Sequence, residues 1–242
     1  MILVKGPVFS DEGKVIILDY HTFLGNGKSS LDFNREELIR QLEQFEKMGF
    51  RFVSLDDAIQ GKISGWKNLI FTIDDGNHSV PPIVRDVLLP RGIVPVLFIS
   101  AALTERSQFC FNPSVLKGLY EKGCIIGAHG YTHQYLTKRA FATNSLRSRE
   151  EIEKPGPLIE QWIGKKPLYF AYPYGRNSPQ AKALLSQVGY RYAFLADDKV
   201  HPISFDDPNL DPYEVPRTIM YWWNVKKVFA QLGKYGAFLS KE

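Results

Sequence analysis

The sequence predicts an α/β fold, a parallel barrel of irregular form with fewer than eight strands, and three observations lead to it. Apolar runs of strand length alternate about seven times with stretches of helical spacing, the signature of βα units around a parallel sheet. No internal repeat or low-complexity linker interrupts them. Polar residues close several of the apolar runs, namely His21, Asp74 with Asp75, His129 and Tyr174. In a parallel barrel all those carboxyl ends meet on one face, where barrel active sites are built. The 242 residues, 44% of them hydrophobic, can bury one large core and are read as a single domain, 1–242.

The elements follow in order. Val15 to Tyr20 is an apolar strand ending at His21, and Gly25-Asn26-Gly27 is a loop. Asn34 to Met48 is a helix with Leu38, Leu42, Phe45 and Met48 on one face. Asn34 and Glu37 form a capping box at its start, and Gly49 stands at its stop. Phe52 to Leu55 leads into a short helical turn, and Leu69 to Ile73 is a buried strand. Pro82 to Leu89 is a short helix ended by Pro90 and Gly92, followed by a strand from Val94 to Ile99. Asn112 to Lys122 is helical and Cys124 to Ala128 a strand. A long helical stretch from about Asn144 to Trp162 breaks at Pro155-Gly156-Pro157. Leu168 to Tyr172 is a strand, Ser178 to Val188 a helix and Tyr190 to Leu195 a strand. After an irregular loop from Asp197 to Pro212 come a last strand, Glu214 to Met220, and a last helix, Asn224 to Leu232.

The most informative stretch is Phe71-Thr72-Ile73-Asp74-Asp75-Gly76. Neighbouring strand residues point to opposite sides, so the two acids can share a job only if the strand breaks at them, as Gly76 permits. Two carboxylates at a buried strand end are costly without positive charge beside them. A metal ion would supply it. His129-Gly130-Tyr131-Thr132-His133 places two imidazoles four residues apart after another strand. With one carboxylate they make a two-histidine, one-carboxylate set with open positions, suited to catalytic Zn²⁺ or Fe²⁺.

Other features exclude more than they identify. Thirty Lys and Arg against 26 Asp and Glu give +4, too mild and too scattered to indicate nucleic acid. No stretch approaches the roughly 18 apolar residues of a membrane span. Met1 to Lys14 carries Lys5, Asp11, Glu12 and Lys14 without an apolar h-region, so no signal peptide is read there. That fits a cytoplasmic protein or one whose leader has been removed. Cys110 and Cys124 form no CxxC pattern, and a bridge between them stays open. His78 is read as the cap of the helix after it, in preference to a place bordering the site, and His201 as a surface residue.

Ile73-Asp74-Asp75-Gly76, His129-xxx-His133 and Tyr172-Pro173-Tyr174-Gly175 together resemble the first three motifs of the polysaccharide deacetylases, the NodB-like carbohydrate esterases of family four. The likeness runs from about Val15 to Ile219. It implies a distorted (β/α)7 barrel and a metal held by Asp75, His129 and His133. The metal would be Zn²⁺ first, with Fe²⁺, Co²⁺ or Ni²⁺ as other occupants. It also implies Asp74 as general base and the Tyr174 backbone N–H as an oxyanion donor. Two departures stand out. The family's Leu-x-His near the carboxyl terminus is missing, but Tyr20-His21 is similar to the permuted members that deacetylate poly-N-acetylglucosamine, which makes His21 the expected general acid, with His201 the reserve acid should His21 not serve. Ala171 or Tyr172 stands where the third motif often carries an arginine, and Arg217 is the candidate to supply that charge from the last strand. The implied reaction is metal-dependent release of acetate from an N-acetylated oligo- or polysaccharide. Hydrolysis of a small linear or cyclic amide, and sugar binding without turnover, remain as alternatives. Tyr221-Trp222-Trp223 is expected either to line a saccharide groove or to pack as a buried cluster.

Overall fold

The computed structural model describes residues 13–239; the first 12 residues, most of the stretch read above for a signal peptide, lie outside it. Strand β1 (Val15–Tyr20) pairs in parallel along its whole length with β3 (Asn68–Ile73). Beyond β3 the parallel order continues through β4 (Val96–Ile99), β5 (Ile125–Ala128), β6 (Tyr169–Ala171) and β7 (Tyr192–Phe194). On the other side of β1 lies β8 (Thr218–Ile219), shorter than the strand expected from Glu214 to Met220. Parallel bridges Phe194–Val215 and Asp197–Thr218 join its approach to the end of β7, so the ring of seven strands closes. The two-residue strand β2 (Arg51–Phe52) takes the amino-terminal half of the β3 edge whose carboxyl-terminal half pairs with β4. That shared edge is where the barrel departs from regularity.

Alternation along the strands sorts the core into two sets. Ile16, Leu18, Leu69, Phe71, Leu97 and Phe170 face outward to the helices. Val15, Ile17, Ile70, Val96, Phe98 and Val215 fill the interior. Continued upward, the interior series passes from Ile17 to Asp19 and His21, from Ile70 to Thr72 and Asp74, and from Val215 to Arg217. The polar mouth is therefore the top layer of the same pattern that packs the interior. Gly127 lets the Phe98 ring cross the barrel, since a Cβ there would lie 2.5 Å from that ring. The Arg217 guanidinium in turn lies over Phe98, 5.1 Å from the ring centre.

Helix α1 (Arg35–Lys47) forms as its sequence dictates. Asn34 caps it in a complete capping box with Glu37, and Leu38, Leu42 and Phe45 are buried against the sheet, each burial stabilising by about 1.5–3 kcal/mol. A five-residue α2 (Leu55–Ile59) follows. The expected helix from Pro82 to Leu89 begins earlier, as α3 (Val80–Ile83), and continues as a π turn to Leu88 and a 3₁₀ turn to Arg91. Two short helices went unanticipated, α4 (Ala101–Arg106) and α6 (Lys138–Thr143); each is under two turns, too short for a readable apolar period. The remaining helices are α5 (Pro113–Glu121), α7 (Ser145–Glu153), α8 (Pro155–Ile163), α9 (Pro179–Val188) and α10 (Val225–Leu239). The α7–α8 break falls at Pro155 as the sequence requires, whereas α10 outruns its expected end at Leu232. Cys110 and Cys124 are both free thiols, so the bridge between them is not formed.

Gly127→Ala forces the Phe98 ring aside in a filled interior, a change expected to cost about 1–3 kcal/mol. Thermal denaturation checks it, with Tm falling by a few degrees to about 10 °C.

Candidate active site

The strand ends meet in a cleft of about 240 Å³ at the carboxyl face of the barrel, lined by His21, Asp74, Asp75, His129, His133 and Tyr174 among others. All the residues expected at the site from the sequence come together here, Arg217 included.

Asp74 is buried and continues the interior row of β3. Both its carboxylate oxygens accept hydrogen bonds of 2.7 Å from the two Nη atoms of Arg217, in the fork geometry that only arginine provides. Arg217 also donates to Thr72 Oγ1 at 3.0 Å and, through Nε, to the Leu195 carbonyl at 3.1 Å. Burial alone would raise the Asp74 pKa, but the adjoining guanidinium outweighs it and holds the carboxyl well below the usual range.

Asp75 takes a different path. The strand breaks after Ile73, and Asp75 adopts a left-handed φ of 72°; its carboxylate and that of Asp74 each bring one oxygen to 3.5 Å from His129 Nε2. Asp75 Oδ1 also lies 3.3 Å from His133 Nε2, and the two imidazole nitrogens are 3.1 Å apart. A tetrahedral ion with ligands at about 2.0–2.1 Å sets them roughly 3.3–3.4 Å apart, so this triangle fits one. The chemistry of the donors agrees. His129 Nδ1 lies 2.9 Å from the Ala171 carbonyl, which can only accept, so Nδ1 carries the proton and Nε2 presents a lone pair. Burial pulls His133 down to about 4, leaving a neutral imidazole. Asp75 Oδ1 is buried without a hydrogen-bond partner. Asp19, Asp74 and Asp75 gather three carboxyl groups around the guanidinium of Arg217 and the imidazole of His21, an excess of acidic groups that a cation would offset.

The loop carrying the histidines is tied down by Glu151, a buried carboxylate from α7. It accepts from the backbone N–H groups of Tyr131 and Thr132 at 2.9 Å and Gln134 at 3.2 Å, and from the Thr132 hydroxyl. With that support His133 holds a φ of 61°. Tyr174 (φ 60°) lies in a 3₁₀ turn, Pro173–Gly175, whose Gly175 packs so closely that a Cβ would lie 2.4 Å from the Ala196 carbonyl oxygen. Among the described residues, Asp75, His133 and Tyr174 are the non-glycine residues with positive φ, and all three are here. Such backbone costs about 1–3 kcal/mol per residue and gathers where function over-determines the structure.

Two site residues escaped sequence reasoning. Glu151 looks like any acid of a charged helix. Asp19, buried on β1 two residues before His21, has Oδ2 3.4 Å from Arg217 Nη2 and Oδ1 3.7 Å from His21 Nδ1. Its signal was parity, since it shares the face of Ile17 and His21. Burial pushes Asp19 up to about 6 despite Arg217. Burial also works against charging His21, but Asp19, with Asp75 and Asp74 behind it, more than reverses that and raises its pKa. His78 does not cap the next helix; its Nδ1 lies 3.0 Å from the Phe109 carbonyl. His201, expected at the surface, is held at 2.7 Å by Asp197. Tyr221 lines the cleft and stacks on Trp223, whose neighbour Trp222 is 61% exposed; these aromatics are not a buried cluster.

A family model described as polysaccharide deacetylase matches residues 62–193, more than half of the chain. A chitin deacetylase of Arthroderma benhamiae is 23% identical over 122 residues, 50% of this chain and 32% of that protein, so the chain spans about a third of that relative's length. Among solved structures, IcaB from Ammonifex degensii is 27% identical with a TM-score of 0.76, covering 92% of this chain and 97% of that one. A polysaccharide deacetylase from Bacillus cereus, 18% identical, shares the fold with a TM-score of 0.74 over 92% of this chain and 69% of its own. With its first two motif segments converging on one cleft and the family model spanning both, the chain belongs to the polysaccharide deacetylase family.

Proposed function

We propose that this chain is a metal-dependent amide hydrolase that removes acetyl groups from N-acetylglucosamine units of a glycan, releasing acetate and a free amine. The observation that carries the reading is the 3.1–3.5 Å triangle of Asp75, His129 and His133 beside a separate, ionised Asp74. Zn²⁺ suits the donor set best, two imidazoles and one carboxylate with room for further ligands. When bound, the ion supplies Lewis acidity to the amide carbonyl and lowers the pKa of water at the site.

Asp74 is the general base. Arg217 keeps it charged across the neutral range but also makes it weak, so it suits a water already acidified. As the water oxygen adds to the carbonyl carbon, its proton passes to Asp74. The Tyr174 N–H, for which the structure records no backbone acceptor among the described residues, is the donor we assign to the developing oxyanion. His21 donates a proton to the nitrogen as the C–N bond breaks, leaving acetate and the amine. The Asp19 carboxylate behind His21 favours the protonated imidazole this step needs. Half-exposed Tyr174, and Tyr221 stacked on exposed Trp223, put aromatic rings at the cleft, which suits a sugar chain better than an enclosed small amide.

Acetate release from N-acetylglucosamine oligomers is expected to stop with chelator and return with Zn²⁺. Asp74→Asn should lower kcat by about 10²–10⁴ while metal content is kept. Release confined to small amides would favour a different amidohydrolase, and no release with any metal a sugar-binding protein. His21→Ala should lower kcat over a similar range of about 10²–10⁴ with metal content intact, and an unchanged kcat removes His21 from the mechanism. Glu151→Gln turns an amide NH₂ towards backbone donors, and zinc affinity measured by competition with a chelating dye should fall about 10–100-fold.

A further inference from the structure

Arginines scattered through the sequence are gathered by the fold beside the active site. Arg139 from α6, Arg147 from α7 and Arg176 from the loop after the Pro173–Gly175 turn line one cleft of about 620 Å³. None of the three is ion-paired among the described residues; the paired arginines are Arg85, Arg149 and Arg217. No acidic side chain lines the cleft. Three uncompensated guanidinium groups around one concavity repel one another and focus a positive field into it.

The cleft adjoins the catalytic one. Tyr135 lines it and stacks face to face on Tyr174, with ring centres 3.8 Å apart. Tyr174 lines the catalytic cleft and meets His133 edge-on at 4.6 Å. The tyrosine pair is thus the wall between the two, and Arg176 follows Tyr174 by two residues. A chain lying across that wall would present one sugar to Asp74 and a neighbouring one to the arginines.

Resting on the function proposed above, we infer that this cleft is a subsite for an anionic sugar, so that the substrate is a glycan carrying a carboxylate or phosphate next to the N-acetylglucosamine being deacetylated. Guanidinium forks match both groups through paired N–H···O bonds. At an exposed cleft each contact is screened by salt, so the combined effect is set at about tenfold in affinity.

The test is equilibrium binding, by titration calorimetry, to the zinc-loaded Asp74→Asn protein, in which turnover is suppressed, with the three arginines as in the wild type or replaced as Arg139→Gln/Arg147→Gln/Arg176→Gln. Three probes separate the sources: an alternating glucuronate–N-acetylglucosamine hexasaccharide, a phosphodiester-linked N-acetylglucosamine oligomer, and the neutral N-acetylglucosamine hexamer. The protein with its arginines intact should bind one or both anionic probes at least tenfold more tightly than the neutral one, and the arginine variant should lose that margin while binding the neutral hexamer unchanged. The tighter anionic probe identifies the group. Equal binding of charged and neutral probes with the arginines intact, or a margin that survives in the arginine variant, overturns the inference. If the arginine variant is unstable, the single Arg147→Gln and Arg176→Gln proteins must each narrow the margin. Because binding is read without turnover, absence of acetate release would sink the proposed reaction and leave this result to stand or fall separately.

Discussion

The pairing of Arg217 with Asp74 is the interaction on which the mouth of the barrel depends. A carboxylate and a guanidinium this deeply buried each forfeit several kcal/mol of hydration, recovered only through fork geometry and satisfied lone pairs. Here the recovery is nearly complete: two bonds to Asp74, one to Thr72, one to a carbonyl, and Phe98 beneath the guanidinium plane. Breaking a pair of this kind costs about 3–5 kcal/mol, because the surviving charge has no water to turn to. The same pair distinguishes the two acids: Arg217 holds both Asp74 oxygens, one of which also lies 3.5 Å from His129 Nε2, whereas Asp75 Oδ1 reaches both imidazoles.

Around that fixed charge the backbone is bent where side chains must be aimed. Three left-handed residues are held by the break in β3, by Glu151 and by the close contact of Gly175 with Ala196. Each local cost is carried by buried hydrogen bonds or packing outside the cleft. Rigidity here is a property of the surrounding shell more than of the site residues themselves.

Most of the architecture was legible in the sequence because strands and helices differ in apolar period, and because caps such as Asn34 and stops such as Gly49 are local. The cleft was legible where motifs stand at strand ends, as with Asp74, Asp75 and the two histidines. Asp19 was readable in principle, since it keeps step with Ile17 and His21, yet one acid in an apolar run carries no spacing signal by itself. Glu151 and the arginine cleft could not be read at all. Their meaning comes from contacts between distant segments, for which one sequence has no local record. The length of β8 was misjudged for a related reason, since barrel closure decides it.

Phe98, Arg217 and Asp74 tie barrel closure to charge compensation. The carboxylate and its partner lie 143 residues apart in sequence, and Arg217 arrives only on the strand that seals the ring between β7 and β1. Closure that buries Asp19 and Asp74 therefore brings their guanidinium partner with it, so the desolvation it imposes is offset by the same strand. The strand that seals the sheet is, for this chain, also the one that carries the counter-charge of Asp74.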